Sequence, residues 1–568
     1  MGLDLLLLHA PSVYDFRERD DVLFAYLSNS DSVHVSPIFE MPPVGLFAIK
    51  QYLNRRGLSS EFFNIASQMR RQPEFDVEAF FRRMPAARCV GIDLHWLAHA
   101  HGALELARLY KEIHPSSKVV LGGIASTYYH DQLIQYPQVD FVMRGYDTLA
   151  PLEAMLRAGD DEAALFQVPN LTWKRHGEVH VNEMTYVPAT YSAAVDWSDV
   201  FGDRSQEGRR DRIVPYNLVI PQAGCEYSCT WCGGSRYFFR KYMGLQKRVQ
   251  KPPELLKLEL RSIAEARTRT HTVTMVDFWH ETPSLFTAAE DVFIDENIDC
   301  VHFSLHRLPS VDKGRRMGAL TKAVIELSPD SHDMEVAKAS GRGAYTMQQM
   351  EDFIDSLLDN IYSFEIYFLI GLPRQTVDSV WGTVDYCEHL LRKYQGRSVT
   401  PYVCPMLPFL DPGSEIYDHP EKFGYRIFHR TVEDHRRALL SLNWKDRLNF
   451  ETVHMTRDVL VNISYEAVRA LTLLKKKYNV LPAGIARWIV ERIDQTRELL
   501  GAIDAFQGMP DGVPKQAVEI EIKRKVLLYN REQFRSVVSQ QRPADLGFAN
   551  RQWFDTDETF ERVMRGGE

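Results

Sequence analysis

Three of the chain's seven cysteines stand close together in the segment GCEYSCTWCGG, residues 224–234. Cys225, Cys229 and Cys232 follow the spacing C-x3-C-x2-C, which allows one loop to present three thiolates to one face of a metal cluster. A 4Fe–4S cluster has four irons, so three cysteines leave one iron open to another ligand. An open position is typical of a catalytic metal site rather than a structural one.

Zinc is the alternative metal for this cysteine group. A structural zinc site needs four protein ligands, and no fourth Cys or His stands in the segment, so a distant residue such as His280 would have to complete it. Three thiols without any metal are a third interpretation, which the small and polar neighbours do not favour. The other four cysteines are scattered singly, so the pattern is not a disulfide framework and fits a reducing cytoplasm.

Composition limits the possible classes of function. The chain has 568 residues, which predicts about three domains, with 45% hydrophobic and 25% charged residues, as in globular proteins. A net charge of -9 gives no electrostatic support for binding nucleic acid. The N-terminus lacks the features of a signal peptide, and no apolar run has the length of a membrane span. We therefore expect a cytoplasmic protein with no membrane span and no nucleic-acid partner.

The first 150 residues alternate five apolar strand candidates with helical segments. This alternation predicts an α/β domain over 1–150, with a doubly wound parallel sheet of the flavodoxin or Rossmann type. Ligands of such sheets bind at the carboxyl ends of the strands. Gly122, Gly123 and Gly145 stand at predicted strand ends, where a missing side chain would let a large ligand approach the backbone. The alternative is that they are turn glycines only.

The rest of the chain divides into three predicted parts. Residues 151–210 contain a hairpin, with its turn at His176 and Gly177, and a polar linker. A second series of βα units over 211–430 predicts a partial or full TIM-type barrel, whose chemistry would lie at the carboxyl ends of its strands. The cysteine loop follows the first of those strands. Residues 431–568 have helical patterns and predict a helical C-terminal domain.

The three cysteines, with Trp231 directly before the last of them, resemble the signature of the radical S-adenosylmethionine (radical SAM) enzymes. The segments 325–343 and 368–376 resemble the fourth-strand region of that family and its fifth-strand glycine-proline element. The N-terminal 150 residues resemble the cobalamin-binding domain often fused ahead of the barrel. The resemblance implies that Trp231, Ser328 and Gly371 contribute to cofactor binding in the barrel, and that the glycine-rich strand ends bind cobalamin.

The resemblance also implies a mechanism. S-adenosylmethionine would bind the open iron of the cluster, and an electron from a donor such as flavodoxin or ferredoxin would cleave it. The resulting 5′-deoxyadenosyl radical would take hydrogen from an unactivated carbon, to which methylcobalamin often supplies a methyl group in this class. A cobalamin-dependent C-methyltransferase with an unknown substrate is therefore the leading hypothesis. The alternatives are a cyclisation, rearrangement or oxidation without methyl transfer, and a sensor that is not an enzyme.

Two family elements are absent from their usual places. The Gly-Gly-Glu element after the second barrel strand is replaced by MVDFWHETP, where Asp277 or Glu281 could serve instead. The cobalamin motif D-x-H-x-x-G is missing after the first strand. The similar DLHWLA follows the third strand and lacks the glycine, so we do not expect His95 to bind cobalt. We interpret His95, His99 and His101 as exposed histidines at the start of a helix.

Overall fold

The computed structural model describes residues 2–25, 43–201, 217–265, 272–275, 279–296, 298, 300–320, 322–405 and 410–539. Asp277, most of the predicted linker and the last residues of the chain lie outside these ranges. Among the described residues, no helix is long and apolar enough to cross a membrane.

The first sheet contains five parallel strands extended by a hairpin. Its strands are β1 Leu5–His9, β2 Ser60–Asn64, β3 Cys89–Asp93, β4 Lys118–Gly122, β5 Phe141–Met143, β6 Leu171–Arg175 and β7 Glu178–Val181. They lie in the order β2-β1-β3-β4-β5-β6-β7, and β6 pairs antiparallel with both β5 and β7. The predicted doubly wound sheet is confirmed. The hairpin continues it beyond residue 150, whereas the domain boundary itself stays a prediction.

Helices cover both faces of this sheet, because each strand buries both of its sides. In β1, Leu6 and Leu8 belong to one buried cluster and Leu5 and Leu7 to another. This explains why the first strand is a continuous leucine run rather than an alternating one. The helices of this part are α1 Val44–Arg55, α2 Ile65–Arg71, α3 Val77–Arg83, α4 Ala100–Ile113, α5 Ile124–Tyr128, α6 His130–Leu133, α7 Leu149–Ala158 and α8 Glu162–Leu165.

The second large sheet is built from sequential βα units. Its part of the chain contains the strands β8 Asn217–Val219, β9 Gln222–Ala223, β10 Val249–Gln250, β11 Thr272–Met275, β12 Cys300–Leu305, β13 Lys322–Asp330, β14 Ser363–Ile370 and β15 Val399–Pro405. In the described residues, β8 and β11 to β15 are parallel and pair in chain order, which leaves β8 and β15 as edges. The barrel is therefore partial. A separate antiparallel ribbon joins β9 to β10.

The helices between these strands cover the outer face of the partial barrel. They are α11 Pro253–Glu265, α12 Pro283–Asp295, α13 Val311–Leu320, α14 Met334–Ala339, α15 Met347–Asp355 and α16 Val377–Lys393. Two shorter helices are α9 Trp197–Phe201, which precedes β8 and packs on α11, and α10 Arg236–Tyr242, which follows β9. Thr346 and Gln349 form a capping box at the start of α15. Thr376 likewise caps α16.

The C-terminal part is mainly helical, as predicted. It contains α17 Glu415–Asp418, α18 Pro420–Phe423, β16 Tyr425–Ile427, α19 Val432–Ala438, β17 Phe450–Thr452, α20 Arg457–Lys477, α21 Ala483–Gln507 and α22 Val513–Ser539. The helix α20 packs on α16 and α21, and α21 packs on α22. The C-terminal helices therefore continue the layer around the barrel. The short antiparallel ribbon of β16 and β17 was not predicted.

Candidate active site

The three cysteines lie in the loop that joins β9 to α10, after the first barrel strand as predicted. None of them forms a disulfide, and Cys229 is only 5% exposed. The backbone N–H of Tyr227 donates to Cys225 Sγ at 3.4 Å, and that of Gly234 donates to Cys232 Sγ at 3.3 Å. Hydrogen bonds to sulfur are one means by which proteins tune thiolate-bound clusters. The loop thus already directs donors at two of the three sulfurs.

Burial decides the protonation of these thiols in the absence of metal. It raises the pKa of Cys232 well above its ordinary value, and nearby Asp411 acts in the same direction. Burial also raises the pKa of Cys229, although Arg342 lowers it. Without a cation the two thiols therefore stay neutral. A bound metal would supply the positive charge that converts such thiols to thiolates.

The barrel holds the cysteine loop through contacts with the segment that follows β13. Thr230 N–H donates to the carbonyl of Ser340 at 3.0 Å. Gly341 has φ +83°, and a Cβ at this position would lie 2.2 Å from the carbonyl oxygen of Ser228. Such a distance is far below van der Waals contact, so only glycine allows the two backbones to approach this closely.

Trp231 and Arg342 meet at a buried carboxylate at the end of β13. The indole Nε1 of Trp231 donates to Asp330 Oδ2 at 3.2 Å, and Arg342 Nε donates to the same oxygen at 3.0 Å. Arg342 Nη1 and the Tyr345 hydroxyl are buried and have no hydrogen-bond partner among the described residues. Buried donors of this kind normally have an acceptor. The pair therefore fits an anionic ligand group such as a carboxylate, and sequence analysis missed both residues.

A polar group fills the interior of the barrel. Glu326 accepts from Ser304 Oγ at 2.9 Å and from Ser328 Oγ at 3.0 Å, and His302 Nε2 lies 3.5 Å from its other oxygen. On the next strand, the Tyr367 hydroxyl donates to a Glu365 oxygen at 3.0 Å. Sequence analysis predicted only Ser328 in this region. The polar residues alternate with apolar ones along β12, β13 and β14, so a period of two could have revealed the others.

Glu281 contacts the cysteine loop directly. Its carboxylate accepts a hydrogen bond from the Tyr227 hydroxyl, and Arg248 Nη1 lies 3.4 Å away. Asp277, the other residue that could replace the Gly-Gly-Glu element of the family, lies outside the described residues. His280 is buried, and burial, with the charges of Lys313 and Arg248, lowers its pKa to about 3. No three His, Cys, Asp or Glu side chains in the described ranges are arranged to hold a single metal ion.

Gly371 lies directly after β14 and has φ +104°. Its N–H donates to Gln375 Oε1 at 2.7 Å, and its carbonyl accepts from the Tyr425 hydroxyl. Both backbone polar groups therefore have partners within the protein. The predicted role of Gly371 in cofactor binding, like the roles of Trp231 and Ser328, stays a prediction.

The three glycines of the first sheet lie at strand ends, as predicted. Gly122 ends β4, and the nearest atom to a Cβ there would be 3.8 Å away. A Cβ on Gly123 would lie 2.6 Å from His95 Cα, and one on Gly145 would lie 3.1 Å from Asn170 Nδ2. Close packing thus accounts for Gly123 and Gly145 by itself. Contact of any of the three with a cofactor stays a prediction.

Histidines meet beside the switch point of the first sheet, between β1 and β3. His9 Nδ1 lies 2.8 Å from Asp93 Oδ2, and the rings of His9 and His99 are 5.1 Å apart. His99 and His101 are 2% and 5% exposed, so the prediction that they are exposed is wrong. The loop after β1 folds over the start of α4, where Tyr14 N–H donates to His101 Nδ1. Burial lowers the pKa of His101 to about 4.

One carboxylate connects the first sheet to the helix that follows the cysteine loop. The Asp418 side chain is 6% exposed and accepts hydrogen bonds from four side chains, which we call the Asp418 hub: Tyr128, Tyr237, Lys241 and Tyr242. Tyr128 ends α5, which begins directly after Gly123. The other three donors lie on α10. The hub therefore joins the carboxyl edge of the first sheet to the cysteine-loop end of the barrel.

We expect Asp418→Asn to lower the free energy of unfolding by about 1–3 kcal/mol at pH 7, because a partly buried network of four donors loses its charged acceptor. Burial raises the pKa of Asp418, but hydrogen bonds from Lys241, Tyr242 and Tyr237 outweigh it, so the net pKa is below the ordinary 3.8. A carboxyl group whose pKa is lower in the folded than in the unfolded state stabilises the protein at pH values above its unfolded-state pKa. This stabilisation is lost as the pH falls through the folded-state pKa. Urea unfolding should show that the difference in free energy of unfolding between the unaltered protein and Asp418→Asn narrows only below about pH 4.

The matched control for this prediction is Asp312→Asn, which alters an exposed aspartate on α13 paired only with Arg315 nearby. It should change the free energy of unfolding by less than about 0.5 kcal/mol. An effect of Asp418→Asn that equals the control, or that stays constant down to pH 3, would contradict the role of the hub.

Comparisons with known proteins agree with this architecture. Residues 33–154 match the family model of the B12-binding domain. An uncharacterized methyltransferase of Pyrococcus horikoshii is 21% identical over 396 residues, which cover 66% of this chain and 77% of the relative. The chain therefore carries a B12-binding domain at its N-terminal end.

Two solved structures share the fold over most of the chain. One is the radical S-adenosylmethionine methyltransferase TsrM from Kitasatospora setae with cobalamin and a [4Fe–4S] cluster bound. Its TM-score is 0.57 at 12% identity, over 88% of this chain and 100% of that one. The other is the cobalamin-dependent S-adenosylmethionine radical enzyme OxsB with aqua-cobalamin bound. Its TM-score is 0.52 at 13% identity, over 95% of this chain and 73% of that one.

Proposed function

We propose that this chain, which has the fold of cobalamin-dependent radical SAM enzymes, methylates an unactivated carbon of its substrate with the help of a 4Fe–4S cluster, S-adenosylmethionine and cobalamin. The Asp418 hub is the observation that carries the proposal. It ties α5, which follows the glycine-rich end of β4, to α10, which follows the cysteine loop. Ligands of both fold types bind at the carboxyl ends of parallel strands. The hub therefore supports two cofactor sites that face each other.

The residues present fit the proposed cofactors of the barrel. Cys225, Cys229 and Cys232 would hold the cluster, since their partly buried loop already directs N–H donors at two of the sulfurs. Arg342 Nη1 and the Tyr345 hydroxyl would bind the carboxylate of S-adenosylmethionine, because both are buried donors for which the described part of the chain provides no acceptor. When bound, the cofactors would supply reductive cleavage of S-adenosylmethionine and a methyl group carried by cobalamin.

The carboxyl edge of the first sheet also has a polar group that would suit a ligand. The hydroxyl of Ser12, three residues after β1, is buried and has no hydrogen-bond partner among the described residues. It lies in the loop at the switch point, where doubly wound sheets bind their ligands. At the end of β4, on the same edge of the sheet, a Cβ on Gly122 would make only an ordinary contact, 3.8 Å from the carbonyl oxygen of Met143.

The chain's own residues would orient the substrate and exclude water. Trp231 and Asp330 attach the cysteine loop to the end of β13. Glu326 and Glu365 place carboxylates inside the barrel, where serine and tyrosine hydroxyls hold them in position. Glu365 is fully buried, and exclusion of solvent around it would protect a reactive carbon radical and strengthen polar contacts with a substrate.

Anaerobic reconstitution followed by product analysis tests the proposal. We expect about four irons and about one corrinoid per chain, formation of 5′-deoxyadenosine with a strong chemical reductant, and transfer of an isotopic label from the methyl group of S-adenosylmethionine to a product in cell extract. Formation of 5′-deoxyadenosine without labelled product would support a rearrangement, cyclisation or oxidation instead. Complete absence of 5′-deoxyadenosine would contradict both.

A further inference from the structure

A basic segment follows the cysteine loop in a chain whose net charge is -9. Between Glu226 and Glu254 the sequence contains six Lys or Arg residues and no Asp or Glu. These six are Arg236, Arg240, Lys241, Lys247, Arg248 and Lys251. The segment includes α10 and the turn after it, and it is the part of the chain that comes directly after Cys232.

Half of these cations have structural partners. Lys251 pairs with buried Glu259, Arg248 with Glu226 and Glu281, and Lys241 with Asp418. The other three are Arg236, Arg240 and Lys247, all exposed. They have no carboxylate partner within salt-bridge distance among the described residues. Arg236 donates instead to Ser228 Oγ, and Arg240 Nε donates to the carbonyl of Gln246. We call these three residues the α10 basic face.

The geometry of α10 presents Arg236 and Arg240 outward and close to the cysteines, and the hydrogen bond from Arg240 to Gln246 keeps Lys247, in the turn after α10, beside them. Arg236 and Arg240 are four residues apart and so lie on one side of the helix. Phe238 is buried and Tyr242 belongs to the Asp418 hub, so the other side is fixed to the protein. Arg236 stands four positions after Cys232 in the sequence, which limits the distance between their Cα atoms to about 14 Å. Since α10 itself is only about 10 Å long, the basic face remains near the cysteine loop.

We propose that the α10 basic face docks an acidic one-electron carrier protein that reduces the cluster. This inference rests on the proposed function, which requires an external electron at a buried loop. In each transfer the carrier loses one electron and the cysteine-held cluster gains it, and no covalent bond forms or breaks. Positive charge that no internal carboxylate neutralises would steer an acidic partner to this surface and orient it there. The rest of the chain carries the excess of negative charge, so it would direct such a carrier away from other faces.

Charge reversal tests the docking surface. The test variant is Arg240→Glu with Lys247→Glu. The control is Lys476→Glu with Arg487→Glu, which makes the same charge change on α20 and α21. Arg236 is left unaltered because it contacts the cysteine loop. The probes are oxidised flavodoxin and oxidised ferredoxin for binding, and the same proteins in reduced form for turnover.

We expect the test variant to raise the Kd of at least one carrier about tenfold or more, and the control to change it less than about twofold. Binding by the unaltered protein should weaken as salt rises from low to physiological strength. Formation of 5′-deoxyadenosine driven by the reduced carrier should fall about tenfold at limiting carrier. With dithionite as reductant, the test variant and the unaltered protein should form it equally.

Several outcomes would overturn this inference. The first two concern binding: failure of the unaltered protein to bind either carrier, and an equal loss of carrier affinity in the test and control variants. The third is a loss of 5′-deoxyadenosine formation in the test variant that is as large with dithionite as with the reduced carrier. The fourth is binding of an RNA or DNA oligonucleotide in preference to the carriers. Loss with dithionite would place the basic face in substrate or cofactor binding. Absence of 5′-deoxyadenosine from the unaltered protein with dithionite would instead contradict the proposed function. The binding measurements would still decide the docking surface in that case.

Discussion

Cys229→Ala is expected to reduce the iron content of the reconstituted protein from about four to less than about one per chain and to abolish 5′-deoxyadenosine formation. Cys229 is the most deeply buried of the three cysteines and lies between the other two in sequence. A cluster that loses one of only three protein ligands has two irons without thiolate, so the remaining pair would not retain it. Iron and sulfide analysis, together with absorbance near 400 nm, measures the loss.

Cys387→Ala is the matched control for this substitution. Cys387 is buried on α16, and burial raises the pKa of its thiol to about 12, so it stays a neutral packing residue. This variant should retain full iron content and lose only about 1 kcal/mol of stability through a small cavity. If Cys229→Ala kept as much iron and activity as Cys387→Ala, the cluster assignment would be wrong.

Gly341→Ala is expected to lower the free energy of unfolding by about 3 kcal/mol and to reduce iron content at the same time. The new Cβ would lie 2.2 Å from the carbonyl oxygen of Ser228 and 3.1 Å from Cys229 Cα, and φ is +83°. Both neighbours are backbone atoms of the cysteine loop, so relief of the clash must move the loop. Urea unfolding and iron analysis after reconstitution measure the two effects.

Gly343→Ala provides a control two residues away. Gly343 has nearly the same backbone conformation, with φ +85°, but its nearest neighbour is the flexible Lys338 side chain at 3.1 Å. Gly343→Ala should lower the free energy of unfolding by about 1–2 kcal/mol, because of the backbone conformation alone, and should leave the iron content unchanged. Equal iron contents in Gly341→Ala and Gly343→Ala would show that the contact with Ser228 does not position the cysteines.

Local sequence patterns predicted the elements of the fold well. A continuous leucine run is typical of a buried parallel strand and forms β1, and Thr346 and Thr376 are typical helix-capping residues and precede α15 and α16. These signals depend only on burial of neighbouring side chains and on hydrogen bonds within a few residues. The same locality explains the error at His99 and His101. Their burial depends on the loop that carries Tyr14, which is 87 residues from His101 in sequence.

The sequence by itself determined which thiols stand together, because the three cysteines share one short loop whatever its surroundings. It also determined the alternation of polar and apolar residues that gives the barrel strands a polar interior. Only the tertiary structure decided which residues complete the site. Arg342 reaches Asp330 through the turn after β13, Glu281 reaches Tyr227 from another βα unit, and Asp418 joins Tyr128 across 290 residues. Contacts of this range depend on how loops pack at the carboxyl ends of the strands, and no local spacing encodes that packing.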